Sequence, residues 1–507
     1  MAYLTQTDIV NLKMTISKAN YNQSVSDQEL LKKIVIEDEA SPTKLEMKDG
    51  SNYFKNDSDI LKRKIYYWLD ERKVQDVTAT NQKMNHAFHR VITEQKVSYV
   101  VGNPIAISAK EPTDEAYAEA FVDTMGKKFD DTMSKWVKGS TNKGIEWLHP
   151  YINGEGKFSY TIIDASECIP VYDSAYQNEL KEMIRYYPIT EIDEQGNRIV
   201  KKKVEWYRKD DVTFYIEQKN PKGEVEFILD ITEIANGGNP RPHWIKWNTN
   251  AEQATERGSW GRVPFVGLPN NDEWVGDLRF YKNLVDDYDL NQSIASNDLI
   301  DIQKLVWVLK NYEGTSLAQF AENLRKFKAI NVGDDGGAET VSADLPTEAH
   351  KQHQDRTEDN IFVFGMAVNM KADKFGNSPS GIALKFMYAL LDLKANIIIR
   401  KLDLALDDVS YFVAFYLKEI EKEGAGDYDF EGLEFTFNKN IPINEAEKIQ
   451  NLKNSVGLIS DETIIAEHPY VDDPALEMEK LEKKREEQRA FMAEQFDNNA
   501  DDNEDKE

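Results

Sequence analysis

Between Phe158 and Leu229 the chain changes rhythm, and this restricts its fold more than any other feature. The runs FSYTII, MIRYY, IVKKKVEWY, VTFYIE and VEFIL alternate with a period of two and are rich in β-branched and aromatic residues. Glu194-Gln-Gly-Asn197 and Asn220-Pro-Lys-Gly223 are turn sequences between them. A parallel crossover needs about a dozen residues or more, and these links are shorter, so the segment is expected to be an antiparallel meander. On IVKKKVEWY, Lys201 and Lys203 share one face and Lys202 lies on the other. A solvated face is the expectation for all three.

Helical patterns flank this block. Ser26-Asp-Gln-Glu29 has capping-box spacing ahead of Leu30, Leu31 and Ile34. Ser58 precedes Ile60, Leu61, Ile65, Trp68 and Leu69, whose spacing predicts a helix, and another is predicted from about Asn81 to Val101. After the joint NGGNPRPHW and a mostly extended passage, a long helix is predicted from about Asp277 to Val306. Its apolar stripe (Phe280, Leu284, Tyr288, Ile294, Leu299, Ile302) is thin, which suits a helix packing against copies of itself or spanning domains.

From about Leu309 to Leu345 a small insert reads as a short helix at Leu317, Phe320 and Leu324 with a hairpin of KAINV and AETVSADLP. A polar helix follows from Pro346-Thr347. The stretch from Asn360 to Leu406 then holds a loop with Lys371 and Lys374, bracketed by Gly365 and Gly381. Ser378-Pro379 is a helix-start signal. The helix it begins runs from Ser380 to about Lys422 and is apolar enough to be buried as far as Leu406. Farther on, LEFTFNKNIP reads as a strand, with helices near 444–457, 460–467 and 474–496. There is no internal repeat, and the fold class is α+β.

Little chemistry is visible. The 507 residues carry a net charge of −28, which argues against a protein that coats DNA but not against a wall that DNA slides past. Part of the acidity lies in the terminal DNNADDNEDKE, which reads as disordered. Cys168 is the one cysteine, so no internal disulfide forms and a reducing cytoplasm fits. No signal peptide and no membrane span are expected. His86 and His89 lack further zinc ligands, and Asp286 and Asp289 read as a solvated helix face. Gly376-Asn-Ser-Pro-Ser-Gly381 lacks the Gly-Lys-Ser/Thr ending of a nucleotide loop. No enzyme, catalytic residue, metal or cofactor is expected.

Several segments together carry a resemblance. They are NHAFHRVITEQKVSYVVGNPI at 85–105, GIEWLHPYINGEGKFSYTIIDASECIPVYD at 144–173, GRVPFVGLPNN at 261–271, DDYDLNQSIASNDLIDIQKLVWVLKNYEG at 286–314 and DKFGNSPSGIALKFMYALLDLKAN at 373–396. In their order and spacing the chain resembles tailed-bacteriophage portal proteins, of the type in siphophages of Gram-positive hosts. That resemblance implies a homo-oligomeric ring of about twelve subunits at one capsid vertex. Double-stranded DNA would pass through it during packaging and ejection. Further partners would be the terminase large subunit, head-completion or connector proteins, and major capsid and scaffold proteins, with no membrane. The location would be the virion, with assembly in the host cytoplasm.

The implied portal fold has an antiparallel-sheet wing, long stem helices, a small α/β clip insert and a helical crown. The corresponding segments are 1–274 for the N-terminal helical region and wing, 275–309 for the first stem helix, and 310–345 for the clip. Then come 346–367 for the second stem helix, 368–379 for the tunnel loop, 380–423 for the long wing helix, and 424–507 for the crown and acidic tail. Asn369, Lys371, Lys374, Phe375 and Asn377 are the tunnel-loop candidates. Lys371 and Lys374 either touch phosphates transiently or pair with acidic residues of a neighbouring subunit. An alternative is an intracellular ring or scaffold protein without DNA transit.

Overall fold

A computed structural model of the chain describes residues 3–19, 24–174, 179–193, 195–247, 254–302, 306–310, 337–341, 347–371, 381–421, 428–439, 445–471, 474 and 476–489. The chain divides into two units: Met1–Asn369 with Leu390–Asn440, and Met370–Ala389 with Ile441–Glu507.

The first unit begins with strand β1 (Leu4–Thr5), then helices α1 (Gln6–Ala19), α2 (Asp27–Glu39) and α3 (Pro42–Phe54). The capping box of α2 forms as expected: the Ser26 hydroxyl accepts from the Glu29 N–H, and the Glu29 carboxylate accepts from the Ser26 N–H. A hairpin of β2 (Tyr66–Leu69) and β3 (Arg72–Gln75) leads to α4 (Phe88–Val101) and β4 (Ala106–Ala109). Next come α5 (Glu115–Met125), α6 (Phe129–Lys143), β5 (Ile145–Ile152), β6 (Phe158–Ile163) and β7 (Cys168–Tyr172).

The meander follows as β8 (Leu180–Ile192), β9 (Arg198–Tyr207), β10 (Asp211–Lys219) and β11 (Val225–Leu229), antiparallel in sequence order as predicted. Its period of two sends alternate residues into two cores. Ile169, Ile184, Val204 and Tyr215 meet Leu30, Ile34 and Val35 of α2, while Cys168, Met183, Tyr207 and Phe214 meet Trp147 of the neighbouring three-stranded sheet and Phe265 just before its strand β15. FSYTII belongs to that second sheet, as β6 beside β5, and not to the meander. The three lysines are not merely solvated. Lys201 pairs with Glu191 at 2.7 Å, Lys202 with Glu39 at 2.6 Å, and Lys203 reaches Asp230 at 3.3 Å and Glu233 at 2.5 Å.

After the sheet come β12 (Arg241–Pro242), β13 (Trp244–Trp247), β14 (Ala254–Gly258), β15 (Val266–Pro269), α7 (Lys282–Ile302), β16 (Val306–Lys310) and β17 (Gly337–Val341). Then come α8 (Thr347–Phe364), α9 (Gly381–Phe415) and β18 (Leu433–Thr436). The second unit includes α10 (Glu445–Asn454), α11 (Asp461–Ala466) and helical residues 476–489. In α11 the Ser460 hydroxyl caps the Thr463 N–H, and Arg485 reaches Asp461 at 2.6 Å.

Three local expectations give way. After Ser58 there is one 3₁₀ turn (Asp59–Lys62) and then the β2–β3 hairpin. Asp70 and Glu71 both take positive φ there (46° and 62°), the conformation of a tight hairpin turn, but Asp-Glu lacks the glycine that would announce it. The helix expected to Val306 is described to Ile302, and Val306–Lys310 is a strand paired antiparallel with Gly337–Val341. KAINV and the predicted insert helix lie outside the described residues.

The third concerns 81–87, expected to be helical. These residues form an extended strap along α7. The Gln82, Met84 and His86 N–H groups donate to Asn297 Oδ1 (2.7 Å), Ser293 Oγ (2.9 Å) and Asp289 Oδ1 (3.0 Å). The match is metrical. Two extended residues advance about 6.7 Å and four helical residues about 6 Å, so every second strap amide meets every fourth α7 side chain. All three acceptors are buried. Asp289 also takes the Ser58 hydroxyl at 3.0 Å and the His86 imidazole Nδ1–H at 2.8 Å. Asp286 is held by the Tyr53 hydroxyl and, at 2.9 Å, by Lys282. The Asp286/Asp289 face of α7 is therefore an internal anchor and not a solvated face.

Replacing Asp289 with Ala strands buried donors from His86 and Ser58. Urea unfolding at fixed protein concentration should show a loss of about 2–4 kcal/mol.

Candidate functional site

The lysine-bearing loop begins where α8 ends. A Cβ on Gly365 would lie 2.7 Å from Ile361 O, 2.8 Å from Ile92 Cδ1 and 3.4 Å from Tyr281 Cε1, so a side chain here would press on the last turn of α8 itself and on the Ile92 tip of α4. Met366 turns the chain at φ 48°. Gln95 of α4 then clasps Val368 on both sides: its Nε2 donates to Val368 O at 2.8 Å, and its Oε1 accepts the Val368 N–H at 3.0 Å. A glycine at a loop's edge ordinarily gives the chain freedom. Gly365 is buried and locks the loop's base instead.

Beneath this turn lies a buried charge cluster. Lys394 of α9 donates to Gly365 O at 2.8 Å and pairs with Asp277 at 2.5 Å. Lys96 of α4 lies 3.5 Å from the same Asp277 oxygen and donates to Asn270 Oδ1 at 2.5 Å. Asn270 Nδ2 in turn donates to the other Asp277 oxygen at 2.8 Å. Burial alone would raise the Asp277 carboxyl, but the Lys394 and Lys96 charges outweigh it and hold the group below the usual carboxylate range. Burial pulls the Lys96 ammonium down to about 8, against the pull of Asp277. Nearby, His89 shares a 2.7 Å hydrogen bond between its Nδ1 and the Tyr281 hydroxyl, and burial pushes its pKa down to about 4. One carboxylate thus ties α4, the 3₁₀ turn before α7, and α9 to the point where the loop leaves α8.

Of the five predicted loop residues, Asn369 and Lys371 are described. Asn369 Nδ2 lies 3.5 Å from Glu358 Oε1 and from Asp359 Oδ1, on the last turns of α8. Lys371 is exposed. Lys374, Phe375 and Asn377 lie outside the described residues. The sequence reading missed Gln95, Lys96, Asn270, Asp277 and Lys394. A signal existed for two of them: Lys96 in ITEQKVSYVV and Lys394 in ALLDLKANIII are lone cations in apolar helical runs, a pattern that demands a buried partner.

This arrangement positions a loop. Among the described residues no group of three His, Cys, Asp or Glu side chains could hold a metal. Cys168 is buried and its thiol is pushed up by that burial, the opposite of an activated nucleophile. A larger cleft of about 680 Å³ lies between β5, β15 and α9, but its charged groups, including the Arg262–Asp408 pair at 3.5 Å, show no acid–base constellation. No described helix is long and apolar enough to cross a membrane.

In this fold the base of the loop is pinned on rigid helices. The comparisons with known proteins place the chain. The sequence model of the family described as phage portal protein, SPP1 Gp6-like, matches residues 33–490. The portal protein of Bacillus phage SPP1 is 33% identical over 461 residues, covering 90% of this chain and 86% of that protein. The portal protein of Clostridium phage phiCD119 is 28% identical over 449 residues, covering 86% and 91%. Among solved structures, the neck of a native GTA particle computed with C12 symmetry aligns with 75% of this chain and 88% of that chain, at 8% identity and a TM-score of 0.40. The chain belongs to the phage portal protein family, SPP1 Gp6-like. The match extends on both sides of the 85–396 span that carries the sequence resemblance.

Removing Asp277 leaves two buried ammonium groups facing each other. Asp277→Ala should cost about 3–5 kcal/mol in urea unfolding, whereas the apolar triple variant Lys96→Met, Asp277→Leu, Lys394→Met should lose far less.

His89 and His149 both have pKa values pushed down to about 4 by burial, so each folds uncharged. Unfolding returns them toward the ordinary 6.5, and below that pH the unfolded chain binds the extra protons. The urea midpoint should therefore fall as pH drops from 6.5 to 4, with a smaller slope in His89→Gln/His149→Gln.

Proposed function

We propose that this portal protein assembles as a closed ring of about twelve copies at one vertex of the capsid. Double-stranded DNA passes through the ring during packaging and ejection. The ring docks the terminase large subunit first and head-completion or connector proteins later, and it contacts the major capsid and scaffold proteins during assembly in the host cytoplasm. The observation that carries this reading is the family match over residues 33–490.

In this reading the meander is part of the wing (1–274), α7 and α8 are the paired stem helices (275–309 and 346–367), and the insert at 310–345 is the clip. The loop at 368–379 faces the channel, α9 is the long wing helix (380–423), and 424–507 forms the crown and tail. The anchoring at Gly365 and Val368 supports the loop assignment, because a lining element repeated around a channel has to start from a fixed point in every copy. The net charge of −28 supports passage of DNA over storage of it. Lys371 and Lys374 provide a ring of cations that meets phosphates in passing without reading sequence.

Light scattering and negative-stain microscopy of the purified protein should show closed rings of about twelve subunits. A monomer or dimer at high concentration would refute the assembly. Replacing Lys371 and Lys374 together with Ala should lower the rate of DNA packaging or ejection while rings still form. Unchanged packaging and ejection would assign these lysines to pairs between subunits.

A further inference from the structure

The β2–β3 hairpin projects four consecutive apolar residues. Tyr66, Tyr67, Trp68 and Leu69 are all exposed, Trp68 at 72%. Side chains alternate along a strand, so Tyr66 and Trp68 open one face and Tyr67 and Leu69 the other. A lone two-stranded hairpin is marginal in water, and one that is apolar on both faces gains its stability from whatever closes over it. The hairpin is also basic in an acidic chain: Lys62, Arg63 and Lys64 stand at its base and Arg72 and Lys73 on its second strand, against Asp70 and Glu71 at its tip.

Elsewhere on the same unit lies a recess that matches it. A cleft of about 210 Å³ is lined by Phe280, Phe364, Met366, Ile397 and Glu273, with the Asp277 cluster as its floor. Ligand pockets begin at about 300 Å³, so this cleft suits one large side chain better than a small molecule. Its rim is apolar and open: Phe280 is 60% exposed, Phe364 56% and Ile397 43%. The apolar line continues on α9 through the exposed Leu390, Leu393 and Leu404, which with Ile397 fall on heptad positions of a single seam. The opposite seam, Leu391, Ile398, Leu402 and Val409, is buried in the unit's own core. Exposed Asp403 and Asp408 close the line at its C-terminal end.

We propose that the hairpin of one copy docks on this recess of the next copy, with Trp68 in the cleft and the basic stem against the acidic end of α9. Both surfaces stand open in the single chain, so neither covers the other within it. Projection and recess lie at different places on the molecule, so the contact is heterologous and runs head to tail, the kind that closes into rings. A buried aromatic anchor in a pocket, rimmed by charge, is the usual centre of such an interface. The occupant is a second copy and not nucleic acid, because the hairpin is apolar on both faces and its charge is complemented on this chain's own surface. The inference rests on the ring reading and adds the contact that would hold the ring.

Two measurements test it together. Tyr67→Ala/Trp68→Ala should reduce the ring fraction at least tenfold in light scattering, while the urea midpoint of the dissociated subunit stays unchanged, since the hairpin is exposed there. A photo-crosslinking amino acid at position 68, in rings mixed from isotope-labelled and unlabelled copies, should give crosslinks from one copy to residues 364–404 of another. Rings that survive the double substitution, or crosslinks confined to one copy, to another segment or to nucleic acid, would overturn this contact and leave the ring reading standing. Absence of rings in the unaltered protein would overturn both.

Discussion

One carboxylate organises the first unit. Asp277 sits between Lys96 and Lys394, buried with both, and each lysine comes from a different helix. A charge that far from water is tolerable only with its partners in place, so α4, α9 and the turn into α7 are obliged to converge. Lys394 also bonds the Gly365 carbonyl. The point where the loop leaves α8 is therefore set by the same cluster. The cost of desolvating three charges yields a junction with little freedom.

The strap on α7 extends the same logic. A helix with a thin apolar stripe is a poor candidate for burial on hydrophobic grounds. Its polar face is covered by backbone, because Asp289, Ser293 and Asn297 stand at the pitch of alternate strap amides. Part of what invited a partner copy is thus satisfied within the chain. Apolar surface that remains open includes Leu299 of α7 itself, the hairpin at Tyr66–Leu69 and the outer seam of α9.

Legibility in the sequence followed the range of the interactions. The antiparallel meander, the capping boxed start of α2, the polar helix α8 and the long helix α9 all depend on neighbours a few residues apart, and all were readable. The hairpin after Ser58 was not, because its turn puts Asp70 and Glu71, not glycine, at positive φ. The strap at 81–87 was not, because its hydrogen bonds go to residues about two hundred positions away. Of the loop itself, the sequence marked Asn369 and Lys371 but not the Gln95 clasp or the Asp277 cluster beneath it.

The sequence alone determined the family, the α+β class and the acidic character, since order of segments, periodicity and charge are properties of the chain itself. Lys96 and Lys394 stood in it as cations in apolar helical runs, a signal that went unread. The tertiary structure decided which anion they share, which face of α7 is inside, and what a side chain at Gly365 would press on. Those answers depend on groups brought together from distant parts of the chain, such as Lys96 and Asp277, 181 residues apart, and no local pattern encodes such a meeting.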